Sequence, residues 1–137
     1  PMTVPTYLLD TSFLVRLLTR DPLPLFKRAA AFLDGWAQTM AGFVVTDLVL
    51  AEAYLALQHH YRYPKAEALA ALHSLVTQPA ISVSGETLAV LSLPDLASAR
   101  PGFVDRLIHG NSRASGNILV TFEKSARKLP ATLVLVE

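Results

Sequence analysis

Short apolar runs alternate with helix-forming stretches along the whole chain, and this alternation restricts the fold more than any other feature. The runs are Thr6–Leu9, Phe43–Val45, Ala80–Val83, Ile118–Phe122 and Thr132–Val136. Strands separated by helices are joined by crossovers, which set neighbouring strands parallel and cover the sheet on both faces. The unbroken apolar stretches Ile118-Leu119-Val120 and Leu133-Val134-Leu135-Val136 suit strands buried on both sides. The expected fold is therefore α/β, with one domain over residues 3–137, a length ordinary for a single core.

Local signals place the helices between those strands. Thr11 and Ser12 can cap a helix whose apolar positions Phe13, Leu14, Leu17 and Leu18 recur at helical spacing. Asp21 and Pro22 mark a second start, with Leu25, Ala29, Phe32, Leu33 and Trp36 as its inward stripe. Thr46 or Asp47 caps a third helix running to about His60, and Pro64 opens a fourth. A fifth is expected from Gly85 to about Ala97. A sixth should run from Phe103 to about Ala114, where Gly116 can end it. Lys124 to Arg127 suits a short helical turn.

Composition closes off several functions. The chain has 12 basic and 11 acidic side chains, a net charge of +1, so no whole-protein field draws in nucleic acid. Without cysteine there are no disulfides, no thiolate nucleophile and no sulfur-ligated zinc. The longest stretch without charge, Ala68 to Gly85, holds His73, Ser74, Thr77, Gln78, Pro79, Ser82 and Ser84, too polar for a bilayer span. No secretory pattern is recognisable near the N-terminus, and a cytoplasmic, membrane-free protein is the expectation.

In an open parallel sheet, ligands bind beyond the carboxyl ends of the strands, where the crossover helices also begin. Four acids fall at such places. Asp10 follows the first strand, Glu52 lies in the first two turns of its helix, Asp105 opens the helix at Phe103, and Glu123 follows the fourth strand. Each has a plainer reading: Asp10 as a helix cap, Asp105 as a partner of the helix dipole, Glu123 as a solvated loop acid. Glu52 is the only charged residue between Asp47 and Arg62, and its apolar neighbours suggest a buried carboxylate in need of a cation. Carboxylates gathered at one edge repel unless a positive charge lies among them, and no basic residue adjoins Asp10 or Glu52. A divalent ion with oxygen ligands answers that repulsion and can hold a phosphodiester and an activated water. The chemistry so indicated is metal-assisted phosphodiester hydrolysis.

The segments Tyr7-Leu8-Leu9-Asp10-Thr11-Ser12-Phe13-Leu14, Val49-Leu50-Ala51-Glu52, Phe103-Val104-Asp105-Arg106-Leu107-Ile108 and Leu119-Val120-Thr121-Phe122-Glu123-Lys124 together resemble PIN-domain ribonucleases, in particular the VapC toxins of toxin–antitoxin pairs. The resemblance implies a five-stranded parallel sheet in the order 3-2-1-4-5 flanked by helices. It also implies an acid quartet of Asp10, Glu52, Asp105 and Glu123 that is both catalytic and metal-binding. Mg²⁺ or Mn²⁺ as cofactor, RNA as substrate, a homodimer and a VapB-like antitoxin partner follow from it too. Glu123 departs from the family, which most often has Asp there; the extra methylene carries its carboxylate outward. Similar hydroxyls in the family give Ser12 and Thr121 a supporting part, although capping and strand-end bonding account for them equally well.

Six basic residues (Arg100, Arg106, Arg113, Lys124, Arg127, Lys128) stand against Asp105 and Glu123 between positions 100 and 128. Arg106 and Lys124, each next to an acid, are the candidate RNA contacts. His59 and His60 close a helix, where solvent and the helix dipole explain them. His109, one turn after Asp105, can approach the site. A non-catalytic PIN-like module binding RNA or protein, or a PIN nuclease of RNA maturation, are the other functions open to such a chain. The helices from Asp47 to Val76 carry Tyr54, Leu55, Leu57, Tyr61 and Tyr63, apolar surface that suits a dimer as well as a core.

Overall fold

Thr6–Leu8 forms β1, and its carbonyl end leads through Leu9 and Asp10 into α1 (Thr11–Thr19). The computed structural model of the chain describes residues 5–37 and 42–136. After α1 come α2 (Leu23–Ala37), β2 (Gly42–Val44), α3 (Asp47–His59), α4 (Lys65–Val76) and β3 (Ile81–Ser82). There follow α5 (Gly85–Leu91), a 3₁₀ turn at Leu96–Ser98, α6 (Phe103–Ala114), β4 (Leu119–Thr121), a second 3₁₀ turn at Lys124–Lys128, and β5 (Thr132–Val134). The class is α/β with parallel strands, and the chain divides into two compact units meeting at Ser84 and Gly85.

In the first unit β1, β2 and β3 pair in parallel in that order, with Tyr7 opposite Phe43 and Phe43 opposite Ile81. Phe43 is fully buried, as are Leu14, Leu50, Leu57 and Leu72, each worth roughly 1.5–3 kcal/mol of apolar burial. Tyr7 and Phe32 meet edge-to-face at 5.5 Å, Phe32 and Phe43 at 5.9 Å, so α2 is clamped to the sheet through rings. Leu25, expected in the inward stripe of α2, is 41% exposed. Phe26 turns inward instead, with the Arg20 guanidinium 5.1 Å from its ring centre. The Trp36 side chain lies outside the described residues.

In the second unit β4 and β5 pair in parallel, Val120 opposite Leu133. Phe103, Leu107, Leu91, Leu96 and Ala126 form its core, and α6 packs along α5. The fifth helix ends earlier than the sequence suggests, at Leu91 rather than near Ala97. Pro94 is the cause: it has no N–H to give, its ring collides with the carbonyl four residues back, and it disfavours helical backbone at Leu93.

Two expectations are corrected. The strands make one sheet of three and one of two, not a five-stranded sheet in the order 3-2-1-4-5. Every observed pair joins strands consecutive in the chain, held adjacent by a local connection. The missing pair, β1 with β4, is the one that no local connection enforces, and closing it orders a far longer loop. The runs at β4 and β5 are also not buried on both sides. Ile118, Val120 and Phe122 alternate onto one face at 68%, 55% and 70% exposure, joined by Leu133. Leu119, Thr121, Thr132 and Val134 are half-buried on the other face. Among the described residues no helix is long and apolar enough to cross a membrane.

Candidate functional site

At the carboxyl edge of the first sheet, Asp10 leaves β1 with extended backbone and caps α1. Its Oδ1 accepts the Phe13 amide at 2.9 Å and the Ser12 hydroxyl at 2.8 Å. The Phe13 N–H, with the Ser12 hydroxyl next, holds this carboxyl below its ordinary range, so it is ionised at neutral pH. Both bonds fall on one oxygen, which leaves Oδ2 for another partner.

Because β2 runs parallel to β1, α3 begins at the same edge, with the Thr46 hydroxyl accepting the Val49 amide as its cap. Glu52 stands one turn further on. The Thr11 hydroxyl donates to Glu52 Oε1 at 3.3 Å, tying the residue after Asp10 to an acid 41 positions away. Asp10 and Glu52 are thus brought to one end of one sheet, as the sequence suggests.

Glu52 is exposed, however, and not the buried carboxylate that its neighbours suggest. The buried set of α3 is Val49, Leu50, Ala53, Tyr54 and Leu57, which turns Leu48, Glu52 and Leu55 outward. Leu48 and Leu55 are apolar but face solvent, and they disguise the outward face in the sequence. Of the residues named for dimer contact, Tyr54 and Leu57 are core, Tyr61 and Tyr63 are half-buried, and Leu55 is exposed.

In the second unit, Asp105 is exposed in the first turn of α6, where a carboxylate complements the helix dipole. Glu123 follows β4 and caps the 3₁₀ turn, its Oε1 accepting from the Ser125 hydroxyl at 2.8 Å and the Ser125 amide at 3.1 Å. Those two donors, the hydroxyl foremost, hold the Glu123 carboxyl below its ordinary range, and the Arg100 guanidinium adds to them. The Thr121 hydroxyl accepts the Glu123 amide at 3.0 Å, so its part here is to shape the strand end. Asp10 and Glu123 therefore share one arrangement: acid, one intervening residue, then a serine whose hydroxyl binds a single carboxylate oxygen. Thr11 and Ser125 are further partners of acids. Ser125 has the local signal of standing two residues after Glu123, whereas nothing in sequence links Thr11 to Glu52, 41 positions away.

Lys124 is exposed, and Arg106 is half-buried with its Nε–H donating to the Pro101 carbonyl at 2.7 Å. His109 does not reach toward an acid. It is buried, and its Nε2 meets the Pro130 carbonyl at 2.7 Å, which requires the proton on Nε2 and fastens α6 to the loop before β5. His59 and His60 are exposed at the end of α3.

Oxygen donors such as Asp10 Oδ2 and Glu52 are of the kind that Mg²⁺ and Mn²⁺ prefer. No group of three or more His, Asp or Glu that could hold a metal ion is found among the described residues. Compared with protein-family models, curated proteins and solved structures, the chain gives no match.

Proposed function

We propose that this chain is a metal-dependent endoribonuclease of the PIN type, hydrolysing RNA phosphodiester bonds as the toxin of a VapBC-like pair. The observation that supports it best is the Thr11–Glu52 hydrogen bond, which draws two acids remote in sequence to the carboxyl edge of one parallel sheet. That edge is where such sheets bind ligands. The reading takes Asp105 and Glu123 as the remaining members of the acid set. It also includes a homodimer and a cytoplasmic setting.

Asp10 and Glu52 are the residues that would hold Mg²⁺ or Mn²⁺, which would supply positive charge against the phosphodiester and make a water more acidic. The chain's own residues have distinct tasks. Ser12 and the Phe13 amide keep Asp10 ionised and fix its rotamer, so its second oxygen is aimed without further ordering. Thr11 orients Glu52 in the same way. Arg106 and Lys124 offer cations to the RNA backbone.

Purified protein with Mg²⁺ or Mn²⁺ should cut single-stranded RNA internally, and EDTA should stop it. Glu52→Gln should slow cleavage by roughly a hundredfold or more while leaving the melting temperature unchanged, because the side chain is exposed. RNA left intact by the wild-type protein, or equal rates for Glu52→Gln, would overturn the reading. Growth arrest on expression, relieved by a co-expressed antitoxin, separates a toxin from a nuclease of RNA maturation.

A further inference from the structure

The second unit carries a groove of about 320 Å³ between α5 and α6, lined by Glu86, Val90, Arg106, Gly110 and Arg113 among others. Positions 106, 110 and 113 share one face of α6, and the two arginines lie seven residues apart, about 10 Å along the axis. Arg106 is already oriented by its Nε bond to Pro101, which leaves its two terminal nitrogens as a preformed fork. Among the described residues neither arginine has a carboxylate partner. Gly110 leaves the floor bare: a Cβ there would lie 3.2 Å from Glu86 Cβ, so the side chain of Glu86 springs from the point where the helices approach.

We propose that this groove grips backbone phosphates of a bound RNA strand, with Arg106 and Arg113 as its cations and Glu86 as an opposing charge that limits the grip. This rests on the nuclease reading for the identity of the strand and adds Arg113, Glu86 and the α5–α6 groove to it. Two cations two helical turns apart match a chain of phosphates rather than one small anion. The unit as a whole is nearly balanced, with six basic and five acidic side chains, so the attraction comes from the two arginines of the groove and not from a general field. A planar guanidinium grips a phosphate through two parallel N–H bonds, which is why arginine rather than lysine suits the position.

The test is fluorescence anisotropy of a labelled single-stranded RNA with the full chain in EDTA, across a salt series. Arg113→Gln should weaken binding about tenfold and reduce the slope of log K against log salt by about 0.7, one phosphate contact. Glu86→Gln should strengthen binding several-fold. Arg28→Gln, which removes one exposed cation from α2, controls for net charge and should leave affinity nearly unchanged. Equal effects of Arg113→Gln and Arg28→Gln, or weaker binding by Glu86→Gln, would overturn the groove. The two readings fail separately. Wild type that cuts RNA while Arg113→Gln binds normally refutes the groove alone. Arg113-dependent binding without metal-dependent cutting refutes the nuclease alone.

Discussion

The two carboxylate oxygens of Asp10 are employed differently, and a conservative substitution can separate their roles. Oδ1 caps α1, a task that Asn performs as well as Asp. Only the charge serves a metal. Asp10→Asn should therefore abolish metal-dependent cleavage with little loss of stability, whereas Asp10→Ala should also cost about 1 kcal/mol through the cap. A titration follows from the same bonds. The folded carboxyl lies below its unfolded value near pH 4, so its stabilisation is complete above that value and is lost as pH falls through the lower folded one. Urea unfolding from pH 6 to pH 3 should show the wild type losing stability more steeply than Asp10→Asn; parallel curves would contradict the assignment. Asp10 was legible as a polar residue between an apolar run and a helical period, and as a cap only in its plainer reading. Thr11 and Ser12, expected as caps, lie inside α1, because the Asp10 carboxylate already accepts the Phe13 amide. The exposure of Glu52 was not legible, because α3 carries leucines on its wet face as well as its dry one.

Helix boundaries followed the local punctuation closely wherever a residue imposes a backbone geometry. Gly116 takes φ +72° just past α6, and its amide returns to the Arg113 carbonyl, the left-handed stop expected of glycine. Pro94 acts just as locally, ending α5 at Leu91 inside a stretch whose apolar spacing otherwise reads as helical. Gly110 is different, because nothing in sequence announces a helix crossing. There a methyl group gains about 1 kcal/mol of helix propensity over glycine. Against this stands the 3.2 Å approach to Glu86 Cβ, an atom fixed to the α5 backbone that yields only if the helices part. Gly110→Ala should be close to neutral as these effects offset each other. Gly110→Leu should destabilise by about 1–3 kcal/mol through overpacking. Chemical denaturation of the two variants measures the balance, and a neutral Leu variant would mean that α5 and α6 separate freely.

Across the molecule, strand pairings were legible where one connection links the partners and not where a pairing must close over most of the chain. The register leaves a direct test of the corrected five-stranded expectation in solution. Leu9 donates its amide to Val44 and Leu119 donates to Ala131, so these amides point into their own sheets. Strand amides alternate sides, and those of Leu8 and Val120 therefore point to the opposite edges of β1 and β4. An open edge leaves such amides to water, and both side chains are apolar and exposed, at 63% and 55%, an arrangement that soluble sheets avoid. If the five-stranded order holds in solution, hydrogen exchange at Leu8 and Val120 should be as slow as at Leu9 and Leu119. Fast exchange at Leu8 and Val120 beside slow exchange at their neighbours would leave two separate sheets. The carboxyl ends of β1 and β4 would then share no common switch point, and the acid quartet would lose the scaffold that its chemistry requires.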